Sequence, residues 1–395
     1  MTKTERAEMD EFDFADAPDR RHSDSVKWDV APGELPMWIA DMDLRTAPAI
    51  IEAMQDKVAT GVFGYEEPHE DYFDAVADWY VREHRARPLT SWMTFCTGVV
   101  PAISSIVRRV TNVGDQVLVQ EPVYNIFTNS IVNNGRHKLS SDLVYDRTSL
   151  TYSVDWADLE AKLAQPLTTL MILCNPHNPT GHVWSRQELE RTAGLCLKHH
   201  VVLLSDEIHG DLVLQGPDYT PAFSLDESLR GDTITLVSPS KTFNLAALHA
   251  ATVITPDPYL RALVDRGLNT DELAEPNLLA IPATIAAYTK GSAWLESLKA
   301  QLRANRTRLG QALGECRTDV KLVPAQATYL AWLDCTALTS DSGEMCTQLR
   351  RRTGLCLSPG SIYGGNGNGF LRMNIACPPS MLEDGLARLT SFLTV

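Results

Sequence analysis

The 395-residue chain has no apolar run approaching the roughly 20 residues of a membrane-spanning helix, which excludes a helical membrane protein. It has no excess of basic residues either. Against 35 Lys and Arg stand 50 Asp and Glu, a net charge of −15, the wrong sign for a protein that must neutralise nucleic-acid phosphates. There is no internal repeat. The cysteines, at 96, 174, 196, 316, 335, 346, 356 and 377, form no CxxC pair and no regular framework, and the polar start Met1 to Asp19 holds no apolar segment. Free thiols, small core roles for most of them and a cytoplasmic location are therefore expected. No HExxH and no paired Cys/His spacing occurs, so no metal is expected: His177, His182, His199, His200 and His209 fall on different expected elements.

What is present is the composition of a globular protein, 44% hydrophobic and 22% charged, for which small molecules are the natural partners. Strand-like and helix-like segments alternate, the pattern of an α/β three-layer sandwich with a mainly parallel sheet and a smaller α/β domain. Three regions are expected: an acidic arm with part of the small domain (1–46), a large domain (47–280) and a C-terminal small domain (281–395). Buried strands are expected at Trp92 to Cys96, Gln116 to Val119, Thr168 to Cys174, Val201 to Ser205 and Thr233 to Val237. Thr328 to Cys335 and Phe370 to Cys377 alternate more, as half-covered strands would. Tyr72, Val76, Trp79 and Tyr80 recur at helical spacing before Pro88, and Ser185/Glu188 and Ser380/Glu383 both read as capping boxes.

Ligands of an open parallel sheet bind beyond the carboxyl ends of its strands, where four segments stand out. Thr97-Gly98-Val99-Val100-Pro101 opens a helix whose free amides can cradle an anion. Asn175 to Gly181 is a Pro- and Gly-dense turn that holds amide side chains; alone it is an ordinary tight turn. Asp206-Glu207 places carboxylates at a buried strand end, where they need a cation or a protonated ring nitrogen. Lys241, flanked by hydroxyls in Ser238 to Asn244, is a candidate nucleophilic amine, although a single such lysine is more often a solvated loop cation. Together these match the needs of an aldehyde cofactor bearing a phosphate, a phenolic oxygen and a pyridine nitrogen. In FLRMNIAC (370 to 377), Arg372 and Asn374 alternate away from Leu371, Met373 and Ile375, and the guanidinium fork suits a carboxylate.

The phrases MWIADMD (37 to 43), FGYEEPHEDY (63 to 72), TGVVPA (97 to 102), ILCNPHNPTGHVW (172 to 184), SDEIHGDL (205 to 212), SPSKTFNLAALH (238 to 249), TYLAWLDC (328 to 335) and FLRMNIACPPS (370 to 380) span nearly the whole chain. They resemble fold-type I pyridoxal-phosphate enzymes of the class I/II aminotransferase superfamily, and within it the cystathionine β-lyase group of carbon–sulfur lyases. That resemblance implies pyridoxal 5′-phosphate as cofactor and Lys241 as its covalent amine, with Asp206 at the ring nitrogen and Asn178 and His209 at the phenolic oxygen. It implies Tyr124 stacked on the ring, and Val99, Val100, Ser238 and Ser240 around the phosphate, joined by Tyr65 of a neighbouring subunit in a homodimer. Arg372 would clamp the substrate carboxylate, with Trp38 and Tyr124 beside it.

The implied reaction is α,β-elimination from L-cystathionine or a related cysteine S-conjugate, giving a thiol, pyruvate and ammonia. Transamination with a keto-acid acceptor shares the same lysine, carboxylate and clamp, and a non-catalytic regulatory binding protein is a third reading. Ser238-x-x-Lys241 also fits the SxxK of penicillin-recognising enzymes, but SDE (205 to 207) and KTF (241 to 243) are poor substitutes for their SDN and KTG. The GGNGNG run (364 to 369) lacks the strand before and helix after of a dinucleotide site, so a flexible loop near the substrate mouth is expected there.

Overall fold

The computed structural model describes residue 12 and residues 14–394; residues 1–11 and 13 of the acidic start expected to form an arm lie outside them. Seven strands form the main sheet: β1 (Met93–Cys96), β2 (Gln116–Val119), β3 (His137–Ser140), β4 (Thr168–Cys174), β5 (Val202–Asp206), β6 (Thr233–Val237) and β7 (Ala251–Ile254). Their order is β1-β7-β6-β5-β4-β2-β3, and only β7 runs against its neighbours. The apolar runs that make β4, β5 and β6 are buried on both faces because helices cover both sides, as a parallel sheet requires. On one side lie α3 (Val99–Val110) and α5 (Pro258–Thr270), contributing Ile103, Ile106, Val107, Val264 and Leu268. On the other, α4 (Arg186–Lys198) contributes Leu189, Ala193 and Cys196. These are the three layers of the sandwich.

Local signals act as the sequence implies in two helices. In α4, Ser185 accepts from the Glu188 N–H at 3.2 Å while the Glu188 carboxylate accepts from the Ser185 N–H at 2.8 Å. In α2 (Glu70–His84), Tyr72, Val76, Trp79 and Tyr80 are all buried, and left-handed Arg85 ends the helix before Pro88. In α9 (Pro379–Leu393) the expected Ser380/Glu383 box does not form. Pro379 occupies the first helical position, which its fixed φ and missing N–H suit, so Ser380 falls inside the first turn.

A four-stranded antiparallel sheet, ordered β8-β9-β11-β10, follows from β8 (Lys321–Leu322), β9 (Leu330–Asp334), β10 (Ser358–Pro359) and β11 (Phe370–Asn374). The half-covered pattern expected of β9 and β11 is wrong: every residue of both is buried. One face packs Leu333, Leu371 and Met373 against Leu382, Leu386 and Leu389 of α9. On the other, Trp332 stacks on Phe370, 5.0 Å between centroids, and joins the core cluster of Leu159 and Leu189. The polar positions in the alternation therefore face an interior site. The glycine run at 364–369 follows the cavity-lining Ile362 and Tyr363 as a turn with Gly365, Asn366 and Asn368 exposed, while a Cβ on Gly364 (φ 74°) would stand 2.2 Å from the Glu121 carboxylate.

Candidate active site

A cavity of about 550 Å³ opens where β1, β4, β5 and β6 end, within the roughly 300–1,000 Å³ range of small-ligand pockets. It gathers Trp38, Val99, Val100, Tyr124, Asn178, Asp206, His209, Ser240, Lys241 and Arg372, drawn from segments up to 334 residues apart. Ser238 and Tyr65 do not line it.

Strand geometry chooses between the neighbouring polar residues. Asp206, the last residue of β5, faces the cavity; Glu207 turns the other way, where it accepts from Tyr219, Ser205, Asn175 and the Ala222 N–H. Asn175 Nδ2 is thereby spent on Glu207 and the Thr220 carbonyl, which leaves Asn178 as the amide of this turn that lines the cavity. Burial pushes the Asp206 carboxyl up to about 7, against the pull of the Ile208 N–H at 3.2 Å and the Lys241 charge. His209 is driven down to about 3 by burial and then by the Lys241 and Arg372 charges, so its imidazole is neutral at pH 7. Its Nδ1 is buried without a hydrogen-bond partner. Burial also raises the Tyr124 phenol to about 12.

Lys241 sits just past β6 and is lowered to about 8, burial outweighing the attraction of Asp41 and Asp206 while Arg372 adds to the lowering. Nζ donates to the Ala40 carbonyl at 2.6 Å, an oxygen that also accepts from the Tyr329 hydroxyl at 3.0 Å. The segment around Ala40 is a strap across the cavity, held at successive carbonyls. Trp38 O accepts from Arg372 Nη2 and Ser358, while Ile39 O and Asp41 O both accept from Asn374 Nδ2 at 2.6 Å. Behind the strap, the buried Lys27 ammonium pairs with Asp43 at 2.6 Å, and Asp43 also accepts from Trp28 and Arg20.

Arg372 is 5% exposed, so it is no surface arginine. Its Nη1 donates to Asn178 Oδ1 at 3.1 Å, and its guanidinium lies 4.8 Å from the Tyr363 ring centroid. The first of these fixes the Asn178 amide with its NH₂ as the atom left for a ligand. Nε of Arg372 is buried without a partner, a donor ready for an oxygen anion.

At the opposite end, Gly98 (φ 122°) caps α3 and the first internal bond of that helix reaches Ala102, which leaves the Val99 and Val100 amides unspent. Ser240 lines the cavity beside them. Ser238 stands next to it: its hydroxyl is 2.6 Å from the Ala250 carbonyl and 2.7 Å from Ser240 Oγ. Tyr65 is 99% exposed and borders a separate cleft with Lys57, Glu275 and Ile281, away from the cavity of its own chain. Sequence reasoning missed His249, Ile126, Ile362 and Tyr363 in the wall, and Tyr329, Asn374 and Lys27 in the strap. Asn374 alone carried a signal, the same polar alternation as Arg372.

A family model described as aminotransferase class I and II matches residues 38–389. The chain belongs to this family. Among curated members, the aminotransferase-family chain is 40% identical to cystathionine beta-lyase PatB of Bacillus subtilis (strain 168) over 97% of its length and all of that relative. It is 35% identical to protein MalY of Escherichia coli (strain K12), covering 96% and 98%. Among solved structures, cystalysin from Treponema denticola, which contains a pyridoxal 5′-phosphate cofactor, superposes with a TM-score of 0.93 at 30% identity, covering 97% of this chain and 98% of that one. The α/β sandwich expected from the sequence is that of these class I and II aminotransferase relatives.

Proposed function

We propose that the protein is a pyridoxal 5′-phosphate-dependent carbon–sulfur β-lyase that cleaves cysteine S-conjugates, L-cystathionine among them, into a thiol, pyruvate and ammonia. The observation that carries this reading is Lys241, a partly buried amine lowered to about 8, in one cavity with a buried carboxylate and an arginine, in a chain alike over nearly its full length to a cystathionine beta-lyase.

The residues fit the cofactor on a structural observation. Asp206 is a buried carboxylate with one backbone donor, raised to about 7, which is the state of a carboxylate lacking its cation. Pyridoxal 5′-phosphate supplies an aldehyde that condenses with primary amines and a ring that accepts the electron pair released at the substrate Cα. Lys241 would hold the aldehyde carbon and Asp206 the proton on the ring nitrogen. Asn178 Nδ2 and His209 would donate to the phenolic oxygen, with Tyr124 against the ring face. The Val99 and Val100 amides with Ser240 would hold the phosphate, to which Tyr65 of a second chain is added in a homodimer.

Arg372 grips the substrate carboxylate and so orients the Cα–H bond toward Lys241. A neutral lysine is the general base for that proton, and a pKa near 8 leaves a useful fraction neutral at physiological pH. Its Ala40 contact gives the ammonium that results a place to rest. The thiolate then leaves from Cβ and takes up the proton held on Lys241, and the three-carbon enamine left behind tautomerises and is hydrolysed by water to pyruvate and ammonia. We place the enzyme in the cytoplasm, on its eight free cysteines; among the described residues no helix is long and apolar enough to cross a membrane.

The test is product analysis with cofactor-loaded enzyme and no keto acid. Thiol and pyruvate support β-elimination; product formed only with a keto-acid acceptor makes the protein an aminotransferase.

A further inference from the structure

We infer that Tyr329 is a positioning residue of the reaction: its hydroxyl fixes the Ala40 carbonyl on which the Lys241 amine rests, and so sets where that amine stands and how firmly it keeps a proton. This inference rests on the carbon–sulfur lyase reading and deepens it.

Lys241 Nζ at 2.6 Å and the Tyr329 hydroxyl at 3.0 Å donate to the same oxygen, Ala40 O. A carbonyl oxygen has two lone pairs, so this pair of donors fills its capacity. Tyr329 is itself held firmly. It is fully buried, its carbonyl accepts from the Ile375 N–H at 2.9 Å, and its ring meets His209 edge-on with 6.3 Å between centroids. Just ahead of it, at the entry to β9, buried Thr328 takes φ 70°, a left-handed conformation rare for a β-branched residue. Such outliers gather where a fold holds a group at a working site.

Lys241 takes the Cα proton and later yields it to the leaving thiolate, so between the two steps it is an ammonium. An ammonium is the stronger donor, and its charge-assisted bond draws it onto the strap. The Tyr329 hydroxyl occupies the second lone pair of the same oxygen and turns its positive end toward that ammonium. It therefore fixes the amine in place while weakening its hold on the proton. Burial raises the phenol, so it stays a donor throughout. The other titratable groups around Lys241 are Asp41 on the strap, Asp206, His209, Tyr124, His249 and Arg372. Tyr329→Phe leaves all of these in place, together with anything a second chain adds, so a difference between parent and variant reports the hydroxyl.

The variant keeps the ring and its His209 contact and orphans no buried polar atom, because Ala40 O still accepts from Lys241; it is expected to fold as the parent does. In the cofactor-free full chain, acetylation of Lys241 by acetic anhydride across pH, read by peptide mass spectrometry, gives the titration midpoint of the amine. The midpoint is expected at about 8 in the parent and higher by roughly half a unit to one unit in Tyr329→Phe. In the cofactor-loaded enzyme without keto acid, kcat for thiol and pyruvate is expected to fall by on the order of tenfold, KM to move by less than about twofold, and the acid limb of kcat to shift upward. An unmoved or lowered midpoint overturns the inference. So does a raised midpoint with unchanged kcat, or a rise in KM alone, since the hydroxyl then plays no part in the proton's transfer. A parent enzyme that gives no thiol and pyruvate overturns the lyase reading instead, while the labelling of the cofactor-free chain still decides whether Tyr329 governs the amine.

Discussion

Lys241 donates from Nζ to the Ala40 carbonyl at 2.6 Å, which joins the end of a central strand to a strap 201 residues earlier in the chain. The same strap carries the acceptor for Arg372 Nη2, at Trp38, so one short segment sets both the amine and the guanidinium. Its peptide carbonyls act as fixed dipoles, needing no reorganisation as charge moves on the lysine.

Borohydride reduction of the cofactor-loaded enzyme is expected to leave the cofactor attached to the peptide containing Lys241. Lys241→Ala should yield no such adduct by mass spectrometry and lose at least roughly 10²–10⁴-fold in rate, the range for a lost general base. An adduct on another lysine contradicts the assignment.

Asp206 makes a pH-dependent prediction for the cofactor-free protein. Its folded pKa of about 7 lies above the ordinary carboxyl value of 3.8, so between those limits the folded state keeps a proton that the unfolded state has lost. Stability relative to Asp206→Asn therefore falls as pH rises from about 4 to about 7 and levels off above. Thermal melts of both forms across that range measure it, and parallel curves would count against a buried, unpaired carboxylate.

Arg372→Lys keeps a positive charge but loses the fork. It is expected to raise KM for the amino-acid substrate and lower kcat/KM by on the order of 10- to 100-fold, while the cofactor absorbance survives. Unchanged kcat/KM would show that the carboxylate is held elsewhere.

How much of this was legible in the chain is clearest from particular residues. β4 and β6 could be read to their ends because a continuous apolar run between turn residues leaves little choice, and the Ser185/Glu188 box could be read because both partners are local. Arg372 could be placed on the face opposite Leu371, but its burial could not be inferred, since alternation is the same whether the polar face meets water or a cavity. By residue type alone Glu207 was indistinguishable from Asp206, which only the family resemblance singled out, and the strand end decides which of them points inward. The strap was invisible for a further reason: its hydrogen bonds run from backbone carbonyls to side chains such as Asn374 and Lys241, hundreds of residues away.

The strap also rests on a buried ion pair. Lys27→Met leaves Asp43 without its ammonium and is expected to cost about 3 kcal/mol of stability, read by urea unfolding. The double change Lys27→Met/Asp43→Leu should recover part of that loss. A single variant as stable as the parent would show that Trp28 and Arg20 satisfy Asp43 alone.

Tyr65→Phe is expected to loosen the cofactor without changing the fold, measured by equilibrium dialysis of the assembled protein. In the same material, sedimentation should give a dimer. Equal retention, or a monomer that binds cofactor fully, would place the whole phosphate site within one chain.

The central claim, that Lys241 drives β-elimination from a cysteine conjugate, is tested most directly by following thiol, pyruvate and ammonia from an S-alkyl-L-cysteine with parent and Lys241→Ala protein, both supplied with cofactor and no acceptor. The account predicts the three products in equal amounts from the parent and none above the uncatalysed background from the variant. Turnover by the variant at the parental rate, or by the parent only once a keto acid is added, would contradict it.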